Sequence, residues 1–119
     1  VVSADVGNTQ KAEEYYKKAI QINPKYVDAY INLGALTLKN EEKIVGQMNA
    51  ITGYTAADNK KYDDLKKQRD ALLKSAIPHF ERALAIEPDN QFAISNLAGI
   101  YGALDMADKE KEYKAKLKN

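Results

Sequence analysis

Ala12-Glu13-Glu14-Tyr15-Tyr16-Lys17-Lys18-Ala19-Ile20-Gln21-Ile22-Asn23-Pro24 and Ala76-Ile77-Pro78-His79-Phe80-Glu81-Arg82-Ala83-Leu84-Ala85-Ile86-Glu87-Pro88 are two copies of one pattern. Each copy sets small and large apolar residues three or four apart and then stops at proline, which is the signature of an amphipathic helix followed by a turn. Ala12, Tyr16, Ala19 and Ile20 form the inward stripe of the first copy, with Lys11, Glu14, Lys17 and Lys18 opposite. Ala76, Phe80, Ala83 and Leu84 repeat that stripe. The alanines let a neighbouring helix come close, and Tyr16 and Phe80 fill the space beside the contact.

The residues after each proline match as well: Val27-Asp28-Ala29-Tyr30-Ile31-Asn32-Leu33-Gly34-Ala35 against Gln91-Phe92-Ala93-Ile94-Ser95-Asn96-Leu97-Ala98-Gly99. A bulky residue, Leu-Gly, an aromatic, and later Ala, an aromatic and Pro resemble the tetratricopeptide repeat (TPR). Tyr30, Leu33 and Gly34 fit directly; Ile94, Leu97, Ala98 and Tyr101 fit with one Gly-to-Ala change; Thr37 stands where the pattern has an aromatic. The resemblance implies an all-α, TPR-like right-handed superhelix of antiparallel helix pairs. The chain resembles a bacterial-type TPR protein with an expanded middle repeat.

Pro24 and Pro88 lie 64 residues apart, about 30 more than the ~34-residue period of the family. The spacing predicts an insert from about Lys39 to Ser75. Ile44, Met48 and Ile51 on one side, Leu65, Leu72 and Leu73 on the other, and turn residues from Gly53 to Asn59 predict one elongated helical hairpin. The competing reading ends the first helix at Asn40 and leaves the insert partly disordered. About 15 extra residues per arm would add roughly 22 Å. Pro78 lies within the second arm and is expected to kink it, since Leu73, Ile77, Phe80 and Leu84 keep one face across it.

The expected organisation is a single domain over 1–119, with 1–26 the second half of a repeat, 27–90 a repeat carrying the hairpin, and 91–119 a degenerate capping repeat. Gly7-Asn8 reads as the turn before the first full helix, which predicts upstream repeats or self-association through the Ala12, Tyr16 and Ala19 face. At the other end Asp105 is expected to cap the last helix, Tyr113 and Leu117 to point inward, and the many lysines to keep the helix wet.

Composition narrows the function. With 45% apolar residues in 119, the chain has material for a core without staples, and the absence of cysteine removes disulfides and thiolate metal sites. The 18 basic and 17 acidic side chains give a net charge of +1, without the field that a nucleic acid requires. No stretch approaches the ~20 apolar residues of a membrane span. His79 is the single histidine and reads as a surface or packing residue. The pairs Glu13-Glu14, Glu41-Glu42 and Asp63-Asp64 read as solvated charges, because neighbours on a helix diverge by about 100°. No catalytic set, metal site or cofactor is expected.

The TPR resemblance implies recognition of a protein or peptide in a concave groove lined by the first helices of successive units. The matching positions are Asp28, Ile31, Asn32, Ala35 and Leu38, then Phe92, Ser95, Asn96, Gly99 and Ala103. Asn32 and Asn96 are equivalent, and an amide can both donate to and accept from an extended backbone. They read equally well as bonds to a neighbouring helix. The cationic set with which some TPR domains clamp a C-terminal carboxylate is missing, since Phe92 and Asn96 occupy its places. The hairpin tip, with Met48, Ile51, Tyr54 and Tyr62, offers a second contact surface. The alternative to a groove binder is a C-terminal structural cap of a longer solenoid whose ligand site lies elsewhere. Cytoplasmic and bacterial-envelope or periplasmic locations both remain open.

Overall fold

The computed structural model describes the backbone of residues 2–118 and the side chains of residues 9–118. It is all-α: α1 (Val2–Ile22), α2 (Val27–Asn49), α3 (Ala56–Ile86), α4 (Gln91–Ala103) and α5 (Ala107–Lys114). Each helix packs against the next along the chain, so the helices stack in sequence order as antiparallel pairs.

The prolines set the repeat of the fold. Asn23 to Tyr26 and Glu87 to Asn90 make the same turn, in which the Tyr26 and Asn90 amides donate 3.0 Å bonds to the Asn23 and Glu87 carbonyls. Proline at the second place of each turn supplies the required φ and needs no donor of its own. Asn90 then caps α4, its side chain accepting from the Ala93 amide at 3.0 Å. Tyr30 is buried near the start of α2 and its hydroxyl donates to the Pro24 carbonyl at 3.0 Å, so the ring sits inside without an orphan polar atom.

The elongated hairpin is present. α2 runs 23 residues, past Asn40 and Gly46, and α3 runs 31 through Pro78 without ending. α3 is therefore about 46 Å long, close to the 49 Å longest dimension of the molecule. At the tip, Thr55 and Asp58 form a capping box: the Asp58 amide donates to Thr55 Oγ1 at 3.1 Å and the Thr55 amide to Asp58 Oδ2 at 3.2 Å.

The core is centred on Phe80, Ala83, Ala93 and Leu97, which have no exposed surface, with Ile94, Ala76, Leu73 and Tyr101 around them. Ile77 and Leu84 pack on this cluster from the same face of α3. Gly34 is the site of closest approach: a methyl group there would lie 2.5 Å from Cζ of the buried Phe80 ring.

Four local expectations are corrected. α1 is helical through Gly7-Asn8; a single glycine costs a helix only about 1 kcal/mol and does not by itself end one. Asp105 does not cap α5. It adopts φ 59° after α4, and the Asp105 and Met106 amides donate to the Gly102 and Tyr101 carbonyls at 3.1 and 2.9 Å, closing α4 with a Schellman motif. Leu117 is 38% exposed because α5 ends at Lys114. Met48, expected on the surface of the tip, is buried.

Candidate functional site

α2 and α4 run along a shared concavity with α3 behind it. A cavity of about 240 Å³ opens there, lined by Leu38, Ser95, Asn96, Gly99 and Ala103 of the expected groove positions. Leu73 and Ile100 supply its apolar floor, and Glu41 and Glu42 stand on the α2 side. The remaining expected positions do not line it. Asp28, Ala35 and Phe92 are exposed, Phe92 to 72%, and Ile31 and Asn32 are half-buried nearer the start of α2. Five of the ten predicted positions thus line the cavity, and the other five, Asp28, Ile31, Asn32, Ala35 and Phe92, lie nearer the N-terminal ends of α2 and α4.

The two asparagines are not equivalent. Asn96 donates its side-chain amide to the Phe92 carbonyl one turn earlier at 2.8 Å, which fixes the side chain and leaves Oδ1 free to accept. Asn32 makes no side-chain hydrogen bond among the described residues. Gly99 is exposed with open space where a Cβ would lie, so the α4 wall of the cavity is bare backbone at that point.

Glu41 and Glu42 were not recognisable as site residues. The expectation that such neighbours are merely solvated fails for Glu41. It is half-buried, and loss of water around its carboxyl raises its pKa above the usual carboxylate value, a shift that Arg69 opposes and Glu42 reinforces. Arg69 is already engaged. Its guanidinium meets Asp70 Oδ1 at 2.9 Å and donates to the Ala103 carbonyl at 3.3 Å, tying the inserted arm to the end of α4. That carbonyl lies in the last turn of the helix and lacks an intrahelical donor. Neither Glu41 nor Glu42 forms an ion pair among the described residues. The insert therefore contributes directly to the cavity, through Glu41, Glu42 and Leu73.

His79 is half-buried on α3. Burial lowers its pKa, and Arg82 and Lys17 lower it further against a smaller opposing effect of Glu13. It lies away from the cavity lining. Among the described residues, no helix is long and apolar enough to cross a membrane.

Residues 5–40 match the family model described as TPR repeat, a match that covers most of α1 and the first half of α2. It stops where α2 begins to exceed the ordinary repeat. The chain is also 28% identical over 109 residues to Protein O-mannosyl-transferase TMTC3 of Homo sapiens, an alignment covering 82% of this chain and 11% of that protein. The chain thus spans about a tenth of the length of the curated relative it matches.

Proposed function

With a tetratricopeptide repeat in residues 5–40 as the premise, we propose that this chain is a non-catalytic scaffold that holds a protein or peptide segment in the groove between α2 and α4. The supporting observation is that Leu38, Ser95, Asn96, Gly99 and Ala103, five groove positions named from the repeat pattern, line one cavity of about 240 Å³. Its apolar floor, bare glycine wall and free amide oxygen suit an extended chain whose backbone needs donors and acceptors and whose side chains need a place to lie. The transferase activity in the human relative's name belongs to a protein of which this chain matches 11%, and it is not carried over.

A second reading makes these helices the structural cap of a longer solenoid. It is favoured by the last pair of helices, where Tyr101 and Tyr113 stack at 5.5 Å and Lys116 lies 4.8 Å from the Tyr113 ring centroid. Those contacts close the outer side of α4 with aromatic surface under a charged helix.

A random peptide library displayed on phage separates the two. Panned on this chain, it should yield clones that bind the Gly99→Leu variant about tenfold or more weakly, since leucine fills the open wall. Leucine also favours the helix over glycine, so the fold is kept. No enrichment, or clones indifferent to Gly99→Leu, would reject the groove and favour the cap.

A further inference from the structure

The polar lining of the cavity is rich in acceptors, with the Ser95 hydroxyl and the second Asn96 amide hydrogen as its donors. Asn96 has spent one amide hydrogen on the Phe92 carbonyl and presents a free Oδ1. Glu41 and Glu42 present carboxylates with no ion-pair partner among the described residues. Arg69, the cation whose charge acts on Glu41, is turned to Asp70 and the Ala103 carbonyl. Lys39 and Lys43 lie on α2 but do not line the cavity. Acceptors therefore outnumber donors around a floor of Leu38, Leu73 and Ile100.

Resting on the groove reading above, we propose that this cavity receives a lysine or arginine side chain of a partner polypeptide. The aliphatic stem would lie on Leu38, Leu73 and Ile100, and the cationic head would meet Glu41, Glu42 and the Asn96 carbonyl oxygen. Long cationic side chains bury their stems along apolar surface while the head stays at a polar rim, and a charged donor between carboxylates makes the stronger class of hydrogen bond. Open space at Gly99 lets the partner backbone approach α4. Glu41 is already partly stripped of water, so a cation arriving beside it replaces a hydration shell that folding has removed in part. The insert thereby acquires a purpose at its base: an ordinary repeat would end near Lys39, before Glu41 and Glu42.

The test uses the full chain, labelled with ¹⁵N, and two capped peptides, Ac-Ala-Ser-Arg-Ser-Ala-NH2 and the same peptide with uncharged citrulline in place of arginine. Saturable shifts of the Ser95, Asn96 and Gly99 amides are expected with the arginine peptide. Binding should weaken about tenfold or more with citrulline, and with the Glu41→Gln, Glu42→Gln double variant. The double variant should fold as well as the parent by circular dichroism, because burial already disfavours the Glu41 charge. Equal shifts from both peptides would overturn the cationic assignment and leave the groove standing. No shift from either would also overturn it, and the panned clones then decide the groove separately. The same shifts on concentrating the chain alone would put a second copy there and equally reject a separate partner.

Discussion

Gly34 and Gly46 lie on the same helix and illustrate opposite uses of one residue type. A Cβ at Gly34 would meet three atoms of the Phe80 ring at 2.5 to 2.9 Å, and Phe80 has no exposed surface through which to retreat. A Cβ at Gly46 would meet nothing within 4 Å. Gly34→Ala is therefore expected to lower the free energy of unfolding by about 1–3 kcal/mol through overpacking. Gly46→Ala is expected to raise it by about 1 kcal/mol, since alanine restricts the unfolded chain and fits the helix. Urea denaturation of the two variants checks the pair, and shifts of the same sign would sink the argument. Asp105 is a third case, a non-glycine residue at φ 59°, where an aspartate tolerates a left-handed backbone better than most side chains.

Elements were legible where the cause was local. Periodicity located α2, α3, α4 and α1 from Thr9 onward, and the excess spacing between Pro24 and Pro88 located the hairpin, because both signals lie in consecutive residues. The Thr55 cap is hidden in the sequence because Gly53 and the Ala56 to Asn59 run read as a turn, although Ala56 to Asn59 open α3, and because Asp58 stands where the familiar capping box carries Glu or Gln. Asp105 was misread since aspartate suits both a helix start and a left-handed stop. Glu41 and Glu42 stayed hidden for a different reason. Helical period tells which face a residue takes, but not which distant helix comes to stand opposite, and here that is α4. Met48 was expected outside because it lies near the tip, where Tyr54 and Tyr62 are exposed. The cap gives a prediction at this scale: Thr55→Ala should cost about 1 kcal/mol, with the loss confined to the hairpin. An amide-exchange comparison in which the amides around Leu97 lost as much protection as those of Ala57 to Asn59 would contradict it.

The whole molecule is held together unevenly. Its main buried cluster draws on Tyr30 and on residues from Leu73 to Tyr113, while Met48 and Leu65 are buried apart from that cluster, far along the hairpin. Tyr54 at the tip is 91% exposed, and the Lys60–Asp64 ion pair of the arm lies largely in water, where such pairs contribute little. A lever with few buried contacts opens without dragging the core with it. Native-state hydrogen exchange at low urea should therefore show two levels. Amides near Met48 and Leu65 should exchange through a partial opening at lower free energy. Those near Phe80, Leu97 and Tyr101 should exchange only on global unfolding. The proposed site sits where the two regimes meet, with Glu41 and Glu42 at the base of the arm and Asn96 and Gly99 on the core helix α4. Arg69, bonded across to the Ala103 carbonyl, is the tie between them. If exchange instead gives one uniform free energy from Met48 to Tyr101, the hairpin is part of the cooperative core and this division is wrong. With two levels, Arg69→Ala should lower the first and leave the second in place.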